Sequence, residues 1–228
     1  MAKKTNLSLV GYAISRLGTG YVFGTYGQIL TNALLEAKIR QYPAKIKDRE
    51  AFIRQNWMGK PVQDCIGLIK GHLWTNDSGQ ISYKLDGIPD LSANGMFDYA
   101  KEKGPISTLP ETKGILVWKR GHNGVYIGNG EVVESHGTMY GVIKTRLNKN
   151  INETGWTNWI KCSFIDYVTP VPSESPYITY TVQKGDSLWA IAKRVLGDGN
   201  RYKEIAQANG LTNPYIIQPN QVLKVPRK

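Results

Sequence analysis

Along the first hundred residues the apolar positions recur at helical spacing; after Pro110 they fall into short β-rich runs. Leu7, Val10, Ile14 and Leu17 predict a helix over residues 6–17, ended by Gly18-Thr19-Gly20. An amphipathic stretch over 28–40 stops near Pro43, and a second over 48–57 stops before Gly59-Lys60-Pro61. The run Cys65-Ile66-Gly67-Leu68-Ile69 predicts a helix that starts at or just before the cysteine and reaches about Trp74. Residues 75–90 read as loop and 92–102 as a further helix. Then Ile115-Leu116-Val117-Trp118 and the alternating run 122–127 predict strands, Gly128-Asn129-Gly130 a turn, 131–135 a return strand and 140–145 a third. Helices followed by an antiparallel sheet predict an α+β domain.

The string Val168-Thr169-Pro170-Val171-Pro172-Ser173-Glu174-Ser175-Pro176 holds three prolines and two serines, which makes an extended spacer. It divides the chain into a first domain over 1–168, a linker over 169–177 and a small domain over 178–228. The last of these has the order β-α-α-β. A strand leads into Gly185-Asp186-Ser187, where Asp186 or Ser187 caps a helix; Tyr202 opens a second helix that Gly210 closes, and Val222-Leu223-Lys224-Val225 returns as a strand.

With 228 residues, 41% of them hydrophobic, the chain can bury a substantial core; its net charge of +11 predicts an anionic partner. The basic residues are scattered, not gathered in a run, which argues against a nucleic-acid partner and leaves anionic lipid and an anionic, teichoic-acid-bearing cell wall. Two cysteines, Cys65 and Cys162, are too few for a disulfide scaffold, although a single bond between them stays open. With three histidines and no metal-ligand spacing, no metal and no cofactor are expected. Neither a signal-peptide-like apolar run nor a stretch of membrane-spanning length is found, so no membrane insertion is expected.

Cys65 carries the candidate chemistry. A thiol at a helix N-terminus meets unsatisfied N–H groups, which are expected to lower its pKa and favour thiolate. Such a nucleophile needs a base, and His122 opens a strand, where side chains are held firmly. Gly121 and Gly124 are expected to clear space beside the imidazole for a substrate backbone. His72, two helical turns or about 10 Å beyond the cysteine, reads as structural, and Cys162, in the aromatic-rich run 156–162, as a core residue.

Asp64-Cys65-Ile66-Gly67-Leu68, followed 57 positions after the cysteine by His122-Asn123-Gly124-Val125-Tyr126-Ile127-Gly128-Asn129-Gly130, resembles the NlpC-type papain-like cysteine peptidases. Tyr21-Val22-Phe23-Gly24 is similar to that family's Tyr-Val-Trp-Gly segment. The resemblance covers roughly residues 8–168. It implies a papain-like domain, with a cysteine-bearing helix packed on an antiparallel sheet, and hydrolysis of bacterial cell-wall peptides. It also implies Cys65 as nucleophile, His122 as base, Tyr21 lining the site and Asp64 at the substrate's amino side; for Asp64, a helix-capping role stands beside this. The third member falls at Glu134, twelve positions after the base, with His136 as the alternative. A three-residue turn would set His136 opposite His122 and Glu134 diagonal to it. Ile66 replaces the family's small hydroxyl residue, and an insertion over 25–62, long enough to wall the cleft, separates the first two motifs.

Thr179-Tyr180-Thr181-Val182-Gln183-Lys184-Gly185-Asp186-Ser187-Leu188-Trp189-Ala190-Ile191-Ala192 resembles the LysM module. This implies binding of N-acetylglucosamine-containing glycan by Gly185, Asp186, Ser187 and Leu188 together with Asn213, Pro214, Ile216 and Ile217; Leu188 and Ile217 also fit a purely structural role. The joint expectation is a peptidoglycan hydrolase whose partners are the stem peptide and the glycan. It would be a cysteine endopeptidase, cutting between D-glutamate and a diamino acid. The lack of a signal peptide points to a phage lysin, released through a separate pore or carried on a virion, and acting at the wall. A papain-like acyltransferase or amidase and a non-catalytic wall-binding protein are the alternatives.

Overall fold

The structure, a computed structural model, describes residues 4–169 and 175–227. The chain forms two compact units, Met1–Thr169 and Pro170–Lys228. The spacer expected over 169–177 falls largely on residues 170–174, outside the described residues.

The first unit is α+β. Helix α1 (Asn6–Ser15) starts in a capping box, in which the Thr5 hydroxyl accepts from the Ser8 N–H and the Ser8 hydroxyl accepts from the Thr5 N–H. Its buried face is Asn6, Leu9 and Ala13; the expected face is rotated away, leaving Ile14 and Leu17 exposed. The cause is Asn6, whose amide is drawn inward to the Lys113 carbonyl and the Val168 N–H. Strand β1 (Tyr26–Ile29) occupies the start of the stretch expected to be helical; helix α2 (Asn32–Gln41) begins after it, capped by Thr31. A short helix α3 (Pro43–Ile46), helix α4 (Glu50–Asn56) and strand β2 (Pro61–Gln63) follow, and β2 pairs antiparallel with β1. The insertion therefore closes on itself, and Leu30, Leu35, Ile46, Ile53, Trp57 and Val62 give it a core of its own.

Helix α5 (Gly67–Leu73) is entirely buried, and α6 (Ala93–Tyr99) is capped by Ser92. The sheet comprises β3 (Lys103–Pro105), β4 (Leu116–Lys119), β5 (His122–Gly128), β6 (Glu131–Gly137), β7 (Gly141–Asn148), β8 (Ile151–Asn152) and β9 (Asn158–Ile160). Their spatial order is β3-β9-β4-β5-β6-β7-β8, with every pair antiparallel. Leu9, Leu68, Ile69 and Leu73 of the helices pack on Leu116, Val125, Val133 and Ile160 of the sheet. A second apolar cluster contains Val117, Tyr126, Val132, Leu147 and Trp156.

The hairpin β5–β6 turns through Asn129 and Gly130, both at positive φ, with Gly128 paired to Glu131. The turn is thus one residue tighter than expected. A register shift between Tyr126 and Gly128 restores the Val125↔Val133 alignment, which sets His122 and His136 across from each other when continued to the strand ends.

In the second unit β10 (Tyr177–Thr181) pairs antiparallel with β11 (Val222–Pro226), and α7 (Leu188–Leu196) and α8 (Tyr202–Ala208) lie between them in sequence. Ser187 caps α7, and Gly197, at φ 84°, ends it. Val182, Leu188, Ile191, Leu196, Ile205, Leu223 and Val225 form a separate small core. Among the described residues no helix is long and apolar enough to cross a membrane.

Candidate active site

Cys65 lies in the turn between β2 and α5, not on the helix, which starts two residues later at Gly67. Asp64 braces this turn: its Oδ1 accepts from the Gly67 N–H at 2.6 Å and its Oδ2 from the Gly24 N–H at 2.8 Å. Both carboxylate oxygens are thus engaged by the backbone that builds the site, and burial pushes this carboxyl up against the pull of Lys70 and those two N–H groups. Gly67 allows a close approach, since a Cβ there would stand 1.9 Å from the Thr25 carbonyl oxygen.

Cys65 Sγ is 3.7 Å from the Gly121 carbonyl oxygen, and the Asn123 N–H is directed at the sulfur. The sulfur therefore sits beside the backbone on both sides of His122. Burial first, then the Asp64 charge, pushes the thiol up to about 12; the N–H groups of Asn123, Ile66 and Cys65 itself pull the other way without winning. The expected thiolate-favouring shift is thus reversed. Cys65 is 8% exposed, and the helix whose terminus was to lower its pKa begins beyond it.

His122 Nε2 lies 2.6 Å from Glu134 Oε2, which leaves Nδ1 as the ring nitrogen not engaged by the carboxylate. The ring stacks on Trp156, with centroids 5.2 Å apart and planes 5° from parallel. Gly124 permits this packing: a Cβ there would meet Val132 at 2.6 Å and Trp156 at 2.9 Å. The space expected for a substrate is filled by that ring, whereas Gly121 faces open space.

Glu134 is fully buried. Besides His122, its Oε2 is met by His136 Nδ1 at 3.0 Å, and its Oε1 accepts from Thr145 Oγ1 at 2.6 Å and from Thr154 Oγ1. Burial pushes this carboxyl up, but the four hydrogen bonds prevail and bring it down to about 2. Three donor atoms of His122, Glu134 and His136 lie within 4.8 Å of one another, a set able to ligate a metal. The 2.6 and 3.0 Å contacts to one oxygen, however, are those of a hydrogen-bonded cluster with no gap for an ion.

Tyr21 is held near this centre. Burial, with the neighbouring Cys65 and Asp64 adding to it, keeps its phenol far above the usual range. His72 is buried and paired with Ser8 Oγ at 3.0 Å, and burial lowers it to about 4. Cys162 is buried against Met96, and both cysteines are free thiols.

Thr145, Thr154 and Trp156 escaped the sequence reading. A buried carboxylate demands donors, and a hydroxyl on the neighbouring strand beside Glu134 was the place to look: Glu134 pairs with Ile143, and Thr145 is two residues on.

A cleft of about 800 Å³ opens beside the sulfur, lined by Cys65, Asp64 and Gly121, and by Lys38, Tyr42 and Lys45 of the insertion.

In the second unit Asp186 accepts from the Tyr180 hydroxyl and the Gln183 N–H, each at 2.8 Å, while the Ser187 hydroxyl caps α7. Leu188 is 4% exposed in the small core and Ile217 packs against that core. Those four side chains are spent on the fold, whereas Gly185, Asn213, Pro214 and Ile216 are exposed.

Residues 180–226 match the LysM domain family. Over 48 residues the chain is 56% identical to the N-acetylmuramoyl-L-alanine amidase sle1 of Staphylococcus epidermidis, covering 21% of this chain and 14% of that protein. Over 51 residues it is 47% identical to the potassium binding protein Kbp of Escherichia coli, covering 22% and 34% respectively. The chain thus spans well under half the length of these relatives. Among solved structures it is similar to the peptidoglycan hydrolase RipB of Mycobacterium tuberculosis, with 16% identity and a TM-score of 0.38 over 71% of this chain and 67% of that one.

Proposed function

We propose that this chain is a peptidoglycan hydrolase: an NlpC-type cysteine peptidase in the first unit, held on wall glycan by the LysM domain of the second. The observation that carries the reading is the sulfur of Cys65 set beside the backbone flanking His122, whose Nε2 is bound to a buried, ionised Glu134.

The chemistry follows from these contacts. With Nε2 held by Glu134, His122 is left Nδ1 to act as the base. The thiol is protonated at rest, so His122 takes its proton as Sγ attacks the scissile carbonyl carbon. Glu134, charged throughout, stabilises the imidazolium that forms. The N–H groups of Cys65 and Ile66, which lie toward the sulfur, are proposed to stabilise the oxyanion. The imidazolium then protonates the leaving amine, and water hydrolyses the thioester. The scissile bond is proposed to join D-glutamate to a diamino acid of the stem peptide, with Tyr21 and Asp64 shaping the substrate's amino side and Gly185, Asn213, Pro214 and Ile216 meeting the glycan.

Digestion of purified wall tests this. The wild-type chain is expected to release free amines without new reducing ends, and Cys65→Ala to release none while melting as the parent does. Turnover retained in Cys65→Ala, or reducing ends from the wild type, refutes the peptidase.

A further inference from the structure

The cleft beside Cys65 carries two cations that stand in no ion pair among the described residues. Of its acidic groups, Asp64 is spent on the N–H groups of Gly24 and Gly67, and Asp90 is bound to Lys70 at 2.5 Å and to the Tyr83 hydroxyl at 2.9 Å. Lys38 and Lys45, from the insertion, stand in no ion pair among the described residues; the polar contact of Lys38 is the neutral Gln41 Oε1, at 3.1 Å.

Both ammonium groups are seated on one aromatic pair. Phe23 and Tyr42 meet edge to face with centroids 5.0 Å apart, Lys38 Nζ is 5.8 Å from the Tyr42 ring and Lys45 Nζ 5.9 Å from the Phe23 ring. Tyr42 is in turn pressed on Gly24, at φ 81°, where a Cβ would come within 2.4 Å of its ring. Gly24 is one of the two groups that hold Asp64, the residue before the nucleophile. The cationic rim is therefore tied by direct packing to the backbone that places the sulfur. Lys38 is partly desolvated, which lowers its pKa, and Asp64, Asp90 and Lys70 are the other charges it faces.

We propose that Lys38 and Lys45 form an anion-recognising rim that selects a peptide bearing a free carboxylate next to the scissile bond over the same peptide with that carboxylate amidated. That the ligand is a peptide rests on the peptidase reading; the charge of the rim does not. Two cations seated on rings and outside any ion pair among the described residues gain from an incoming carboxylate and gain far less from a carboxamide. The insertion, which supplies no catalytic side chain, then sets specificity.

The test titrates inactive Cys65→Ala protein with synthetic stem-type peptides in which each carboxylate flanking the scissile bond is free or amidated in turn. One free acid is expected to bind about five- to tenfold more tightly than its amide at low salt, and the preference is expected to fade as salt is added. In the Lys38→Gln/Lys45→Gln background the ratio falls to about one; Lys38→Arg/Lys45→Arg keeps it. Equal binding of acid and amide, or a preference that survives the double glutamine change, overturns the proposal. Wild-type hydrolysis of the same peptides separates the two readings. An acid preference in binding without turnover removes the peptidase and leaves the rim, and turnover without the preference does the reverse.

Discussion

At Glu134 the fold places a carboxylate where water cannot reach it and then surrounds it with four donors from His122, His136, Thr145 and Thr154. A group depressed from 4.5 to about 2 contributes stability that is fully present above its unfolded value and is lost as pH falls through the folded one. The contribution is about 3 kcal/mol at neutral pH, and it disappears between about pH 4.5 and 2. Glu134→Gln keeps the shape without the charge. The variant is expected to be less stable than the parent at pH 7 and to converge on it in urea melts taken toward pH 2. Its kcat is expected to fall about 10²-fold or more, because the imidazolium loses its counter-charge. His136→Gln removes one donor of the four and is expected to cost less than about tenfold in kcat. Equal losses in the two variants would make His136 the working partner of His122 and reverse the assignment.

The elements around Cys65 are held by backbone contacts that tolerate no added atom. Gly67 lets α5 lie on the Thr25 carbonyl, which itself accepts from the Asp64 N–H at 3.1 Å. Gly67→Ala must move the helix or the carbonyl, at a cost of about 1–3 kcal/mol, and either movement shifts the sulfur. A lowered Tm together with slowed Cys65 labelling and lost turnover is expected; a variant with parental Tm and turnover would show that the approach is not required. The same contacts explain what could be read from the chain. Cys65, His122 and Glu134 stand in short motifs; counting residues through the hairpin sets His136 opposite His122 and Glu134 diagonal to it, and the spacing of the family resemblance is what singles out Glu134. Strands β1 and β2 are four and three residues long and exist because they pair with each other across an inserted α2–α4 segment; no period that short separates them from an amphipathic helix. The state of the thiol was also illegible. Local sequence placed it near a helix start, but its burial comes from β5, α5 and the loop carrying Tyr21, which meet only in the fold. Trp156 and Thr154 reach the site from the loop between β8 and β9, at the far end of the sequence from Cys65.

Over the whole molecule, the two units have separate apolar cores, one built on Leu9, Leu68 and Val125, the other on Ile191, Ile205 and Leu223. Among the described residues no side chain belongs to both cores. The +11 charge favours an anionic surface, and a tethered wall-binding module would raise the local concentration of peptide around the cleft by its linkage alone, without a new contact at the sulfur. Deleting residues 175–228 is therefore expected to leave kcat/KM for a short soluble peptide within about twofold, because such a substrate gains nothing from tethering. On insoluble wall the same deletion is expected to slow release by at least about tenfold, and added salt to narrow the gap by weakening the full-length chain's attraction to the wall. A matching loss on the soluble peptide would mean that the second unit supports the fold of the first; no loss on the wall would mean that the LysM domain does not anchor this chain to its substrate.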